Sequence, residues 1–145
     1  MENKRKKYII GFIVCSIIFI VGSYFYSSNY HKNIRSHKKM FCYETFRGPS
    51  NSAFIIEDLI YKDSLVKYYK EVEKGENPVF NFPLKTLPTD DPVYVMNYID
   101  KDSLIVEIVS YYDRGIKFGG NYLRGYVYGK TLHSSPASEK VNSNE

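Results

Sequence analysis

Residues 93–109, which read VYVMNYIDKDSLIVEIV, decide the fold. Two runs rich in β-branched and aromatic residues, 93–99 and 104–109, flank the polar residues Asp100–Ser103. Such runs favour pleated strands, and four turn-forming residues between them are typical of a tight connection. The stretch therefore predicts a β-hairpin, the local unit of an antiparallel sheet.

The pattern continues on both sides of this hairpin. Downstream, Tyr111 and Tyr112 extend the second strand, glycine-containing turns follow at 113–115 and 119–121, and residues 122–132 read as a closing strand. Upstream, residues 40–47 read as a short strand that ends at the turn cluster Gly48-Pro49-Ser50-Asn51. The prolines within 79–88 restrict that segment to an edge strand or a loop.

One helix interrupts the β pattern. Leu65, Tyr68, Tyr69 and Val72 recur at the spacing of one helical face. Asp63 or Ser64 can cap the start of this helix, and Gly75 is placed to end it. Residues 53–60 fit a helix or a strand equally well. The predicted fold class is therefore mainly β with a small helical piece, that is, α+β.

The closing segment resembles that of bacterial Src-homology-3-like domains. Gly125 and Tyr126 match the glycine and aromatic residue that begin the last strand in that family, and Leu132 matches the apolar residue that follows a tight turn. The hairpin at 93–109 matches the family's central one. The resemblance covers about 40–55 residues. It implies a small barrel with a role in cell-envelope binding, including binding of cell-wall peptides, and it assigns no ligand residue.

The N-terminal part of the chain has a different character. Tyr8 to Tyr26 is a run of 19 residues without a charged side chain. As a helix it would extend roughly 28 Å, close to the thickness of the bilayer hydrocarbon. We predict a basic tail at 1–7 and a transmembrane helix at 8–27 that serves as a signal-anchor. A cleaved signal peptide is the alternative, although no A-x-A cleavage pattern is present.

Charge separates the two parts of the chain. Residues 1–39 carry eight Lys/Arg and one acidic residue, whereas 40–145 carry 12 basic and 15 acidic residues, a net charge of −3. A mildly acidic domain argues against nucleic-acid binding. Four Lys/Arg directly precede the apolar run, and the basic stalk at 28–39 supplies four more. The closer upstream cluster favours a cytoplasmic N-terminus and an extracytoplasmic domain at 40–133, followed by a disordered tail at 134–145.

Chemistry-bearing residues are sparse in the predicted domain. His133 is its only histidine, and Cys15 and Cys42 lie too far apart in the predicted organisation to form an intrachain disulfide. Asp100 and Asp102 resemble the first ligands of a calcium-binding loop, but the Leu-Ile-Val that follows supplies none of the middle ligands. No pair of cysteines or histidines has zinc spacing. We therefore predict no enzyme activity, no cofactor and no metal site.

The candidate ligand-binding residues are aromatic: Tyr111, Tyr112, Phe118, Tyr122, Tyr126 and Tyr128. Neighbouring side chains on a strand alternate between the two faces of the sheet. If Val127 points inward, Tyr126 and Tyr128 point outward, where they could stack on a peptide or a sugar.

Two function classes follow from these features. The first is a single-pass, envelope-facing, non-enzymatic protein whose domain binds a protein or a cell-wall component. The second is an accessory subunit or an immunity-type inhibitor that acts on an extracytoplasmic enzyme or complex. The implied partners are the lipid bilayer and a protein or cell-wall ligand, and the sequence does not specify an oligomeric state.

Overall fold

Helix α1, Glu2–Arg35, makes up most of the first of two units, residues 1–36 and 37–145. The computed structural model describes residues 2–48, 50–112 and 121–141, with side chains at 8–48, 50–110 and 122–139. Tyr8–Arg35 is long and apolar enough to cross a membrane, a test that a signal sequence also passes. The helix continues through most of the predicted stalk, whose last two residues belong to the first strand.

The second unit is built on a mainly antiparallel β architecture. Its strands are β1 Lys38–Glu44, β2 Asn51–Ser52, β3 Phe54–Ile56, β4 Lys85–Thr86, β5 Pro92–Tyr98, β6 Ile105–Tyr112, β7 Asn121–Tyr128 and β8 Leu132–His133. Two short helices, α2 Lys62–Glu73 and α3 Ala137–Val141, accompany the sheet. Short 3-10 turns occupy Leu59–Tyr61 and Gly129–Thr131. This organisation confirms the predicted α+β class.

The strand order nearly closes a barrel. The order is β2-β1-β5-β6-β7-β3-β4, and β8 also pairs with β1. Only Ala53 separates β2, which pairs with β1, from β3, which pairs with β7. The segment 51–56 therefore connects the two ends of the sheet, and the sheet curls around the side chains of its inner face.

The predicted hairpin is confirmed as β5 and β6, with a register shift between Val95 and Asn97. In its turn, the Asp100 carboxylate accepts a hydrogen bond from the Leu104 backbone N–H at 2.7 Å. Ser103 has a φ of 53°, the left-handed conformation that closes such turns. Asp100 thus stabilises a turn, as expected for a hairpin.

The predicted closing strand at 122–132 is interrupted. β7 ends at Tyr128, the 3-10 turn follows, and the chain then pairs with β1 through β8. The Gly129 N–H donates to the Leu104 carbonyl at 2.8 Å, and the Thr131 hydroxyl donates to the Tyr128 carbonyl at 2.7 Å. The first bond continues the β6–β7 pairing by one residue and the second lies within the 3-10 turn, after which the chain leaves β6 and pairs with β1.

Three other segments refine the sequence-based expectations. The ambiguous 53–60 forms β3 and a 3-10 turn capped by the Asp58 carboxylate, which leads into α2. Helix α2 begins at Lys62, earlier than expected, and the chain leaves it through Gly75 at a φ of 82°. The tail predicted to be disordered includes α3, where the Ser138 N–H donates to the Asp90 carboxylate at 3.0 Å.

Two apolar layers lie on opposite faces of the sheet. The inner layer fills the barrel and consists of Cys42, Ala53, Ile55, Leu87, Val93, Val95, Val106, Ile108, Leu123 and Val127. The second layer lies between the outer face of the sheet and α2, and its buried members are Ile56, Leu65, Tyr68, Tyr69, Val72, Ile105 and Tyr128. The four apolar α2 residues predicted from their spacing all belong to this second layer.

Gly125 allows the closest approach between β7 and β3. A Cβ at this position would collide with the Ile56 carbonyl oxygen and with the Ile55 side chain. We therefore expect Gly125→Ala to lower the free energy of unfolding by about 1–3 kcal/mol, the usual cost of overpacking. The measurement is urea unfolding of the full chain, followed by circular dichroism.

Asn97→Ala, at an exposed position of β5, is the control and should change stability by less than about 0.5 kcal/mol. Equal stabilities of the Gly125→Ala variant and the native chain would contradict the packing of β3 on β7.

Candidate binding surface on the outer face of the barrel

The predicted aromatic residues of β7 all point away from the barrel interior. Leu123 and Val127 belong to the inner layer, so the alternation of the strand puts Tyr122, Tyr126 and Tyr128 on the outer face. Their exposure decreases along the strand. Tyr122 is 45% exposed, Tyr126 is half-buried and Tyr128 is fully buried. The condition that Val127 points inward is met, but part of the outer face is covered.

Helix α2 covers Tyr128. The Tyr128 ring stacks on the Tyr69 ring, with centroids 5.0 Å apart and an interplanar angle of 6°. Its hydroxyl donates to Glu73 Oε1 at 2.8 Å, and Lys130 Nζ donates to Glu73 Oε2 at 2.7 Å. Tyr128 therefore anchors α2 to β7, and its ring has no face open to a ligand in this arrangement.

An exposed polar pair lies between the two other tyrosines of β7. Arg124 Nε donates to Glu107 Oε1 at 2.8 Å, and Arg124 Nη2 lies 2.7 Å from the same oxygen. In the β6–β7 pairing, Glu107 is opposite Tyr126, and Val109 is opposite Arg124. On its other side, Val109 is opposite Tyr94 of β5. Because Val93 and Val95 belong to the inner layer, Tyr94 also points outward.

We call this surface the tyrosine face; it consists of Tyr94, Glu107, Tyr122, Arg124 and Tyr126. Its aromatic rings and its guanidinium are the groups that stack on, and hydrogen bond to, peptides and sugars. Arg124 keeps 56% of its side chain exposed while Glu107 fixes its orientation. The tyrosine face therefore combines outward-facing rings with a guanidinium that Glu107 holds in place.

Three of the predicted site residues cannot be placed in this surface. Phe118 lies outside the described residues, as do the side chains of Tyr111 and Tyr112. The backbone at Tyr111 and Tyr112 pairs with Tyr122 and Asn121 at the end of the β6–β7 ladder. Their assignment to a binding site stays a prediction.

A second exposed aromatic surface was missed by the sequence analysis. Phe80 packs on Phe54 and on Tyr68, each with a centroid distance of 4.8 Å, and Phe82 stacks on Tyr61 at 6.3 Å. The signal was present in the alternating Val79-Phe80-Asn81-Phe82 between two prolines. The prolines favoured an edge strand or a loop, and this reading gave no reason to expect a packed aromatic segment.

The groups with the greatest chemical reactivity are held in structural roles. Cys42 is fully buried, and its thiol hydrogen bonds to the Thr131 hydroxyl at 3.3 Å. Burial raises the pKa of Cys42 to about 12, so the thiolate is not populated at neutral pH. The His133 ring stacks on Tyr43 at 4.0 Å, and its Nε2 contacts the Tyr43 carbonyl at 3.0 Å.

Buried charge is also paired. Glu44 is fully buried, and Oε2 of its carboxylate accepts a hydrogen bond from Arg47 Nη2 at 2.7 Å, while Arg47 Nε lies 3.2 Å from both carboxylate oxygens. In the part of the chain that the structure describes, no group of three or more His, Cys, Asp or Glu side chains is placed to hold a metal ion.

Comparisons with known proteins found no matching family model, no matching curated protein and no matching solved structure. The function is therefore inferred from the sequence and the geometry of this chain.

The contact between Glu73, Tyr128 and Lys130 makes stability depend on pH. Partial burial of Glu73 opposes ionisation, but hydrogen bonds from Lys130 and Tyr128 outweigh this effect and hold the pKa of Glu73 below its ordinary value of 4.5. A carboxyl whose pKa is lower in the folded state contributes stability above its ordinary pKa. That contribution disappears as the pH falls through the folded value.

We expect Glu73→Gln to lower the free energy of unfolding at neutral pH. Between about pH 5 and pH 3, the free energy of unfolding should decrease less in this variant than in the native chain. Urea unfolding across this range measures the effect. Glu71→Gln on the same helix is the matched control, because Glu71 lies 3.9 Å from Lys67 in a more exposed pair. Identical pH profiles for native and Glu73→Gln chains would contradict the anchoring role.

Proposed function

We propose that this chain is a single-pass membrane protein with a non-enzymatic binding domain on the extracytoplasmic side. The observation that carries the proposal is the tyrosine face, where the guanidinium of Arg124, oriented by Glu107, lies among outward-facing tyrosines. Such a surface suits a polar ligand with flat apolar parts, such as a cell-wall peptide or glycan, or a protein.

The apolar helix supports the membrane part of the proposal. Helix α1 contains the one candidate span found in the described residues, and none of its most apolar window is buried. The basic residues Lys4, Arg5, Lys6 and Lys7 directly precede this window, which favours a cytoplasmic N-terminus. We take α1 to be retained as a signal-anchor, which keeps the domain at the cell envelope.

The envelope-binding role is also based on the resemblance to bacterial Src-homology-3-like domains. The resemblance is drawn from Gly125 and Tyr126, which lie within β7, and from Leu132, which begins β8 after the 3-10 turn. The β5–β6 hairpin corresponds to the family's central one. An envelope-binding role is the function that this resemblance implies.

An inhibitory or accessory role is the second candidate. The exposed aromatic surface around Phe80 favours it, because a protein partner is the natural contact for a rigid apolar surface. In that case the extracytoplasmic target is an enzyme or a complex that this chain blocks or supports.

Binding to isolated cell wall tests the first candidate. The full chain in detergent should sediment with the wall, and the double variant Tyr122→Ser, Arg124→Ala should lose about tenfold in affinity, because it removes a ring and a charge from the centre of the tyrosine face. Tyr98→Ser is the matched control, since Tyr98 is similarly exposed, at 49%, but lies outside the tyrosine face.

Two results would change the conclusion. A single protein partner with enzymatic activity, bound in place of the wall, would support the inhibitor. Equal wall retention of the native chain and the double variant, with no protein partner, would overturn the proposed role of the tyrosine face.

A reporter fused after residue 145 tests the topology. We expect activity from a reporter that works only outside the cytoplasm, because the basic cluster at 4–7 keeps the N-terminus inside. The same fusion with those four residues changed to glutamine is the comparison, and it should lower the extracytoplasmic signal. Activity confined to a cytoplasmic reporter would overturn both candidate functions.

A further inference from the structure

A row of side chains crosses four strands on the outer face of the barrel. Lys39 of β1 is opposite Tyr94 of β5. Tyr94 is in turn opposite Val109 of β6, which is opposite Arg124 of β7. We call these four residues the outer row. Lys39, which the sequence analysis assigned to the stalk, therefore lies beside the tyrosine face.

The side chain of Lys39 points to the same face as the tyrosines. Met40 and Cys42 pack in the inner layer, so the alternation of β1 turns Lys39 and Phe41 outward. Lys39 Nζ lies 5.4 Å from the centroid of the Phe41 ring, a cation–π contact, and the lysine stays exposed. The ion pairs among the described residues do not include Lys39. Its charge is therefore available to a ligand.

The exposed charge of the outer row is positive at both ends. Arg124 is paired with Glu107, but 56% of the Arg124 side chain is exposed, compared with 13% of the Glu107 side chain. The guanidinium therefore reaches solvent while the carboxylate is largely covered. Between the two cations, Val109 is buried and Tyr94 is half-buried. The row presents two cations on either side of an apolar floor, although the domain as a whole carries net negative charge.

The strand register determines the spacing of the two cations. Three strand-to-strand steps of about 4.8 Å separate Lys39 from Arg124, which is roughly 14 Å across the sheet. An extended peptide advances about 3.3 Å per residue and directs every second side chain to the same side. Carboxylates at positions i and i+4 of such a peptide are therefore about 13 Å apart, with the side chain at i+2 midway between them.

We propose that the outer row binds an extended acidic peptide with carboxylates four residues apart and an apolar side chain midway between them. The inference rests on the proposed function, since it gives the ligand class of the tyrosine face. Each carboxylate accepts hydrogen bonds from one cation, and the apolar side chain covers Tyr94. A neutral glycan is the less suitable ligand, because it offers no partner for the exposed ammonium of Lys39.

Three labelled peptides with blocked termini and a neutral dye test the inference on the full chain in non-ionic detergent. The acidic probe is Glu-Gly-Leu-Gly-Glu, the neutral probe has glutamine in place of both glutamates, and the spacing probe is Glu-Glu-Leu-Gly-Gly. The test variant is Lys39→Gln. Lys38→Gln is its matched control, because Lys38 is the exposed neighbour in β1 but lies on the alternate side of the strand. Fluorescence anisotropy measures affinity, and circular dichroism checks that both variants are folded.

At low salt, we expect the acidic probe to bind the native chain about tenfold more tightly than the neutral probe, because it adds two exposed ion pairs. Lys39→Gln should lose about threefold in affinity for the acidic probe and nothing for the neutral probe, since it removes one of those pairs. Lys38→Gln should leave both affinities unchanged. The spacing probe should bind about threefold more weakly than the acidic probe, and added salt should reduce these differences.

Three results would overturn the inference. Equal affinity for the acidic and neutral probes would remove the role of charge, and equal affinity for the acidic and spacing probes would remove the role of the register. Equal losses in Lys39→Gln and Lys38→Gln would reduce the effect to non-specific attraction. Wall binding that depends on Tyr122 and Arg124 is measured separately, so the proposed function can stand when this inference fails.

Discussion

The stacking of Tyr69 on Tyr128 determines how the rest of the second unit is arranged. The Tyr69 ring packs parallel to that of Tyr128, and its hydroxyl oxygen accepts a hydrogen bond from the Phe54 N–H at 2.9 Å. One side chain of α2 is thus fastened to β7 through its ring and to β3 through its oxygen. Aromatic pairs of this kind contribute about 0.5–1.5 kcal/mol beyond the area they bury. The position of α2 divides the outer face of the sheet into a covered part and an open part.

This division explains the two surfaces described above. Where α2 lies on the sheet, tyrosines become core residues and the aromatic segment around Phe80 packs against the side of the helix. Beyond the helix, Tyr122 and Arg124 stay exposed on the same strand. A single strand therefore supplies both an anchor for the helix and a surface for a ligand. The aromatic segment around Phe80 packs beside α2, and the tyrosine face includes the part of β7 where Tyr122 stays exposed.

The sequence was most informative where structure depends on neighbours in the chain. The hairpin, the apolar face of α2 and the terminating Gly75 were all predicted from local spacing or turn chemistry. The break at Gly129 was missed because the strand that follows it pairs with Cys42 and Phe41 of β1, which are remote in sequence. The burial of Tyr128 was likewise undecided, since alternation gives the face of a strand but does not reveal which helix lies on that face. The candidate site was therefore predicted only in part.

The pairing of β8 with β1 has a consequence for how the domain is made. Cys42 hydrogen bonds to a residue 89 positions later, Tyr43 to one 92 positions later, and His133 contacts a carbonyl 90 positions earlier. The first strand of the barrel therefore lacks its last partner until synthesis has reached Leu132 and His133. Contacts between such distant residues slow folding and lengthen the time during which strand edges are exposed. We expect the barrel to be completed only after synthesis has reached β8, so protection by chaperones matters most before that point.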